Sequence, residues 1–288
     1  AKLLHGRADE LLSLMCLARP IERVPLVVAP AMNREMWANP ATQRNVAQLR
    51  ADGVRVLDVG QGEQACGETG DGRMLEAHEI EQDLEALFTP QLLAGQQVLV
   101  TAGPTYEAID PVRGITNLSS GKMGFAIARA ARMAGAQVTL VAGPVSLPTP
   151  RGVQRIDVRS AREMLQAVQQ QVDAASVFIA TAAVADWRPQ QAAEQKIKKD
   201  GSGQTPALGF VENPDILATV AQSPRAQSGA LFCVGFAAES HDLLAHASAK
   251  RARKGVPLLV GNIGPSTFGQ DDNALLLVDA QGTRELPR

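Results

Sequence analysis

The chain has 288 residues, of which 45% are hydrophobic and 20% charged, with a formal net charge of −2. Near-neutral charge excludes nucleic-acid binding through bulk electrostatics, and an aromatic content of 3% leaves little for a base-stacking platform. Three cysteines (Cys16, Cys66, Cys233) lie far apart with no CxxC pair, which argues against a disulfide framework or structural zinc and for a reducing, cytoplasmic setting. No apolar run approaches the roughly 18 to 20 residues of a membrane span.

Taken in order, the opening Ala-Lys-Leu-Leu-His-Gly-Arg-Ala-Asp-Glu reads as the middle of a helix, so the chain is expected to be a fragment. Apolar spacing predicts a helix over 3–18, strands over 25–29 and 54–59, a helix over 42–50 and another over 77–88. Between them, residues 60–74 form a glycine-rich loop carrying Cys66. Thr89, Pro90 and the Gly95 turn break the pattern, and a domain boundary is placed there, giving segments 1–90 and 91–288. The second segment alternates strands at 97–102, 137–142, 153–158, 176–181, 230–236 and 257–262 with helices at 122–134, 160–172, 214–222 and 241–254. That order predicts an α/β fold: a mostly parallel, Rossmann-like sheet with helices on both faces. The tail around Asp279 alternates as a hairpin.

The stretch 101–124 joins strand to helix through roughly twenty residues, against about two to six in an ordinary α/β unit. Its glycines and following helix N-terminus suit phosphate. Arg113 and Asn117 stand four apart in an otherwise apolar stretch, a planar cation and an amide suited to a carboxylate or phosphate. In open α/β sheets ligands sit beyond the carboxyl ends of the strands. The segments 103–121, 182–188 and 236–239 all fall there.

Other residues carry two readings each. Lys196, Lys198 and Lys199 form either a solvated charged loop or part of a polyphosphate cradle. Lys250 and Lys254, on one helix face, are explained equally by the helix dipole. Asp186 follows small residues at a strand end and could hold a metal or a ribose. Asn213-Pro-Asp-Ile is accounted for by helix capping. Cys66, among glycines, suits a mobile lid bearing a proton donor, and Asn33 is either a turn residue or a holder of a carboxylate.

The segments Pro-Ala-Met-Asn-Arg-Glu-Met-Trp (30–37) and Ala-Cys-Gly-Glu-Thr-Gly-Asp-Gly-Arg-Met (65–74) resemble the second half of flavin-dependent phosphopantothenoylcysteine decarboxylases. Residues 101–124, with Ala-Ala-Val-Ala-Asp (182–186) and Lys-Ile-Lys-Lys (196–199), resemble phosphopantothenate–cysteine ligase. That order is the one found in the bifunctional bacterial coenzyme A biosynthesis flavoproteins. The resemblance implies a partial flavodoxin-like decarboxylase domain over 1–90 and a ligase domain over 91–288. It implies FMN and Mg²⁺ as cofactors, CTP as cosubstrate, and 4′-phosphopantothenate and cysteine as substrates. Nucleic acid and membrane are not expected as partners.

Carried over by position, Asn117 and Arg113 handle an acyl-cytidylate and Lys196 is essential to ligation. Asp186, Lys196, Pro214, Asp215, Ile216, Leu217, Phe236, Lys250 and Lys254 form the CTP set, with Ala182 and Ala183 beside them and Asp186 toward the metal. Cys66 protonates an enethiolate and Asn33 holds the substrate carboxylate. The resemblance further implies ligase dimers and decarboxylase trimers. The chain departs from it in starting later, without a catalytic histidine and much of the flavin site, so that it is not expected to decarboxylate alone. It also has Gly261-Asn262-Ile263 where many relatives carry Ala-Asn-Asp, and Trp187 where tyrosine is common. Two alternatives stand beside this reading: a ligase with a structural N-terminal remnant, and a non-catalytic nucleotide- or flavin-binding module.

Overall fold

The structure is a computed structural model describing residues 1–64, 67–198, 207–239, 242–263 and 273–287. It divides into two compact units, Ala1–Phe88 and Thr89–Arg288. No helix among the described residues is long and apolar enough to cross a membrane.

The first unit contains α1 (Leu11–Ala18), β1 (Val27–Val28), α2 (Arg34–Ala38), α3 (Pro40–Ala51), β2 (Arg55–Val56), β3 (Gly60–Glu63), β4 (Thr69–Arg73) and α4 (Ala77–Phe88). The helix expected over 3–18 begins only at Leu11, because Gly6 adopts a left-handed conformation and Glu10 at the cap is extended. β1 and β2 pair in parallel over two residues each. The glycine-rich stretch is an antiparallel hairpin of β3 and β4. Gly72 in it has a φ of 128°, and a Cβ there would run into the Met32 carbonyl oxygen. Glycine is therefore needed both for the backbone angle and for the close approach. Cys66 lies outside the described residues.

The second unit runs β5 (Gln97–Ala102), β6 (Tyr106–Ala108), β7 (Gly114–Thr116), α5 (Lys122–Met133), β8 (Gln137–Ala142), β9 (Val153–Asp157), α6 (Ala161–Gln171), β10 (Val177–Ala180), β11 (Trp187–Pro189) and β12 (Phe210–Glu212). It continues with α7 (Ile216–Ala221), α8 (Pro224–Gln227), β13 (Phe232–Glu239), α9 (Leu243–Lys254), β14 (Leu258–Ile263), β15 (Leu275–Val278) and β16 (Thr283–Leu286). Eight strands form one sheet in the order β16-β15-β14-β13-β10-β5-β8-β9. The six from β14 to β9 are parallel, and the tail adds an antiparallel hairpin at one edge. The order reverses at β5, which places a crevice between β5 and β10 at their carboxyl ends.

Alternating residues divide the core between the faces. Val98, Val100 and Ala102 of β5 pack with Phe125, Ala128 and Ala131 of α5. Leu99 faces the other way, into a layer with Met164 and Val168 of α6, Leu217 and Val220 of α7 and Ala247 of α9. Helices thus cover both faces of the sheet, as the alternating pattern requires. The strand–helix connection after β5 is itself structured as the β6–β7 hairpin. A second hairpin, β11–β12, joins residues that periodicity left as loop.

Candidate functional site

The loops after β5 and β10 are fastened to each other beyond the last strand residues. Pro104 bridges to Ala183 in parallel. The amide of Ala183 donates to the Gly103 carbonyl at 2.9 Å, and the Ala185 amide donates to Thr105 Oγ1 at 3.0 Å. Asn117 closes the same seam: its Nδ2 donates to the carbonyls of Ala183 and Val184, both at 3.1 Å. The exposed Asn117 side chain therefore lies along the Ala182–Asp186 segment.

The N-terminus of α5 opens beside this seam. Gly121 precedes it with a φ of 78°, and Gly124 is buried so tightly that a Cβ would overlap Thr181 Oγ1 and reach Ala102. That glycine lets the first helical turn approach β5 and β10. No acidic residue occupies the first turn of α5, where the Lys122 amide donates to Ser120 Oγ at 3.5 Å, and the helix dipole at this end favours an anion.

Asn213 fixes the far side of the 182–186 loop. Its Nδ2 donates to the Ala185 carbonyl at 2.8 Å, and its amide donates to the Asp186 carbonyl at 2.8 Å. Residue pattern explained the Asn213–Ile216 motif by capping, and the resemblance assigned Pro214 to Leu217, but not Asn213, to the nucleotide. The cap is Asp215, whose Oδ1 accepts from the Ala218 amide at 2.9 Å, which leaves Asn213 to hold the loop. An asparagine two residues before a capping Asp was the available signal.

Charges gather around the same strand ends. The Lys254 ammonium forms a close ion pair with Asp215 and is 14% exposed. Burial pushes its pKa down, while the nearby Asp186 carboxylate opposes that shift. Lys254, Asp215 and Asp186 are thus brought together. Ile216 and Leu217 are core residues of α7, and half-buried Pro214 precedes them. Phe236 is half-buried on β13, in register with Val260, and Lys250 is half-buried on α9.

Arg113 sits in the turn of the β6–β7 hairpin, and its Nη2 donates to the Ile197 carbonyl at 2.7 Å. This contact carries the exposed Lys196 and Lys198 against the hairpin. Lys199 lies outside the described residues. No group of three or more His, Cys, Asp or Glu side chains suited to a metal occurs among the described residues.

Asn33 and Cys66 belong to the first unit. Asn33 caps α2, with Oδ1 accepting from the Glu35 amide at 2.8 Å and Nδ2 donating to Glu68 at 2.6 Å. The Met32 amide donates to the Gly72 carbonyl at 2.9 Å, and Arg34 N donates to Gln64 Oε1 at 2.9 Å. The start of α2 is thereby locked to the β3–β4 hairpin.

Comparison with known proteins covers both units. Residues 1–89 match a flavoprotein family, and residues 93–288 match the family described as DNA/pantothenate metabolism flavoprotein, C-terminal domain. The chain is 48% identical over 290 residues to the coenzyme A biosynthesis bifunctional protein CoaBC of Vibrio cholerae, spanning 100% of this chain and 71% of that protein. The corresponding protein of Escherichia coli K12 is 44% identical over 292 residues, spanning 100% and 70%. A crystal structure of the C-terminal domain of a CoaBC protein is 37% identical with a TM-score of 0.57, covering 68% of this chain and 88% of that one. With both of its segments matched and relatives 44 to 48% identical over its whole length, the chain belongs to the family of bifunctional coenzyme A biosynthesis flavoproteins.

Proposed function

We propose that the second unit is a phosphopantothenate–cysteine ligase using CTP. The observation that carries this reading is the seam beyond the carboxyl ends of β5 and β10, where the Asn117 amide lies along Ala183 and Val184 and Lys254 is held near Asp186 by Asp215. In the reaction, a carboxylate oxygen of 4′-phosphopantothenate attacks the α-phosphorus of CTP. The bond to the β-phosphate oxygen breaks and pyrophosphate leaves. The amine of cysteine then attacks the acyl carbon, CMP departs, and the amide is formed with loss of a proton.

Each residue has a role in this scheme. The α5 N-terminus and the lysines offset the negative charge of the triphosphate and of the departing pyrophosphate. Asn117, held along Ala183 and Val184, orients the acyl-cytidylate, and Arg113 with Lys196 stabilises charge on the group being transferred. Asp186, Pro214, Asp215, Ile216, Leu217, Phe236, Lys250 and Lys254 border the nucleotide, with Ala182 giving a flat approach. Asp186 would be the protein carboxylate to hold Mg²⁺, which would supply charge to offset the triphosphate.

The first unit, residues 1–90 by sequence, contributes to an FMN-dependent decarboxylase. Asn33, whose amide already donates to Glu68, is assigned to the substrate's carboxylate by the family resemblance, and the exposed Met36 and Met74 offer the soft apolar surface a flat ring accepts. Bound FMN supplies the oxidation and the return of electrons that decarboxylation requires, while Cys66 would deliver the proton. Oligomerisation is supported by exposed Val112, Leu118, Trp187 and Phe210, all on or beside the two short hairpins of the ligase unit.

The test is pyrophosphate release with CTP, Mg²⁺ and 4′-phosphopantothenate, repeated with ATP. Release with CTP in preference to ATP is expected, and cysteine should convert the intermediate to the amide. A folded sample that releases no pyrophosphate with either nucleotide overturns the reading.

A further inference from the structure

One carboxylate that the sequence left without a role stands behind the proposed catalytic cations. Asp110 is 1% exposed and sits in the tight turn between β6 and β7. Its Oδ1 accepts from the amides of Val112 and Arg113, both at 2.8 Å. Its Oδ2 accepts from Arg113 Nε at 3.0 Å and Nη2 at 2.5 Å, and from the Ile197 amide at 3.1 Å. The Ile197 carbonyl is taken by the same Arg113 Nη2. One step further along, the Ala193 amide donates to the Ile109 carbonyl at 2.9 Å. Both backbone groups of the residue between Lys196 and Lys198 are therefore held by one ion pair, whose carboxylate is buried and whose guanidinium is half exposed.

We infer that Asp110 is a positioning residue of the ligase reaction, fixing the Arg113 turn and the Lys196–Lys198 segment to each other so that their cations reach the substrate as one preset unit. The inference rests on the ligase reading above. Five N–H groups converge on this side chain, so only the ionised, acceptor-only form satisfies them all. Arg113 accordingly holds the carboxylate far below its ordinary range, against the opposing effect of burial. Without the tether, Lys196 would lie on an exposed segment with long rotamers to order at each turnover. With it, that ordering is complete before substrate arrives.

Asp110→Asn keeps the shape but offers a single acceptor oxygen, so the Oδ2 set is lost. We expect kcat for CTP-dependent pyrophosphate release to fall roughly 10²-fold, the size of effect a misplacement of about 1 Å produces. KM for CTP should change less than about threefold. The discriminating measurement is a cycle with Lys196→Ala. If Asp110 acts through Lys196, adding Asp110→Asn to Lys196→Ala costs less than about threefold more. A merely structural role would multiply the two losses, and that result overturns the proposal, as does an Asp110→Asn enzyme with wild-type kcat. If Asp110→Asn does not fold, amide hydrogen exchange on the wild-type protein decides. Ile197 should exchange at least about tenfold slower than an unprotected amide, and exchange at the unprotected rate overturns the tether. Wild-type protein that releases no pyrophosphate fails the ligase reading instead, a result distinct from an active wild type with an indifferent Asp110.

Discussion

The two units solve burial differently. In the second, both faces of an eight-stranded sheet are covered, and Leu99, Leu140, Phe178 and Leu259 are essentially sealed from solvent. In the first, the buried aliphatic side chains among the described residues are Val46, Val54 and Leu75, none as fully sealed, while Leu11, Leu12, Met15 and Ile21 stay exposed. α4 is amphipathic in sequence yet buries no residue. Element pattern follows the same divide: strands of four to eight residues in the main sheet of the second unit, strands of two residues pairing β1 with β2 in the first. The lesson is that a recognisable motif and a closed core are separate properties. The first unit keeps the polar architecture around Asn33 with little apolar interior beneath it.

The largest test of this contrast is catalytic. Lys196→Ala should reduce pyrophosphate release on the order of 10²- to 10³-fold, as expected for removing a charge that stabilises the transferring group. Cys66→Ser should leave the same activity within about twofold. A ligase defect in Cys66→Ser would show that the units are chemically dependent.

Stability separates the units next. Phe178→Ala should cost about 3 to 5 kcal/mol in urea unfolding, whereas Leu11→Ser should fall within about 0.5 kcal/mol. A large loss from Leu11→Ser would mean that the surface of α1 is covered in solution. At an intermediate scale, Gly124→Ala forces a methyl group against Thr181 and Ala102 and should cost about 1 to 3 kcal/mol, with weaker CTP binding by calorimetry.

Two titrations complete the series. Asp110 has a lowered folded pKa, so its contribution to stability is fully present above the ordinary carboxylate value of about 4. That contribution is lost as pH falls toward the folded value. Urea melts should therefore show an acid-side slope that Asp110→Asn reduces, with no corresponding change between pH 6 and 8. Finally, burial raises the Cys233 thiol to about 11, so alkylation at pH 8 should modify the half-buried Cys16 before Cys233.

Much of the second unit was legible because its strands are continuous apolar runs. Residues 97–102 and 137–142 are strands to the residue. The helix expected over 214–222 is α7, and the separate short helix α8 follows it, with Ser223 as cap and Pro224 starting the new turn. The hairpins β6–β7 and β11–β12 were missed because three-residue strands carry too short a pattern. Their partners, moreover, are fixed by side chains such as Asp110 and Arg188. Asn117 was singled out by residue type, but its orientation depends on carbonyls 66 and 67 positions away, which local spacing does not encode. In the first unit, Gly6 shortened a helix whose apolar periodicity ran straight through it.

The seam between residues 103–105 and 183–185 has a consequence for how the protein is made. Its partners are about eighty positions apart in the chain, and they meet only after β10 has docked beside β5. Contacts of such separation form late and slowly during folding. A growing chain that has completed β5, the β6–β7 hairpin and α5 already contains Asn117 and the phosphate-suited helix end, yet it has no crevice. Nucleotide binding would therefore favour chains in which this seam has closed over partly folded ones.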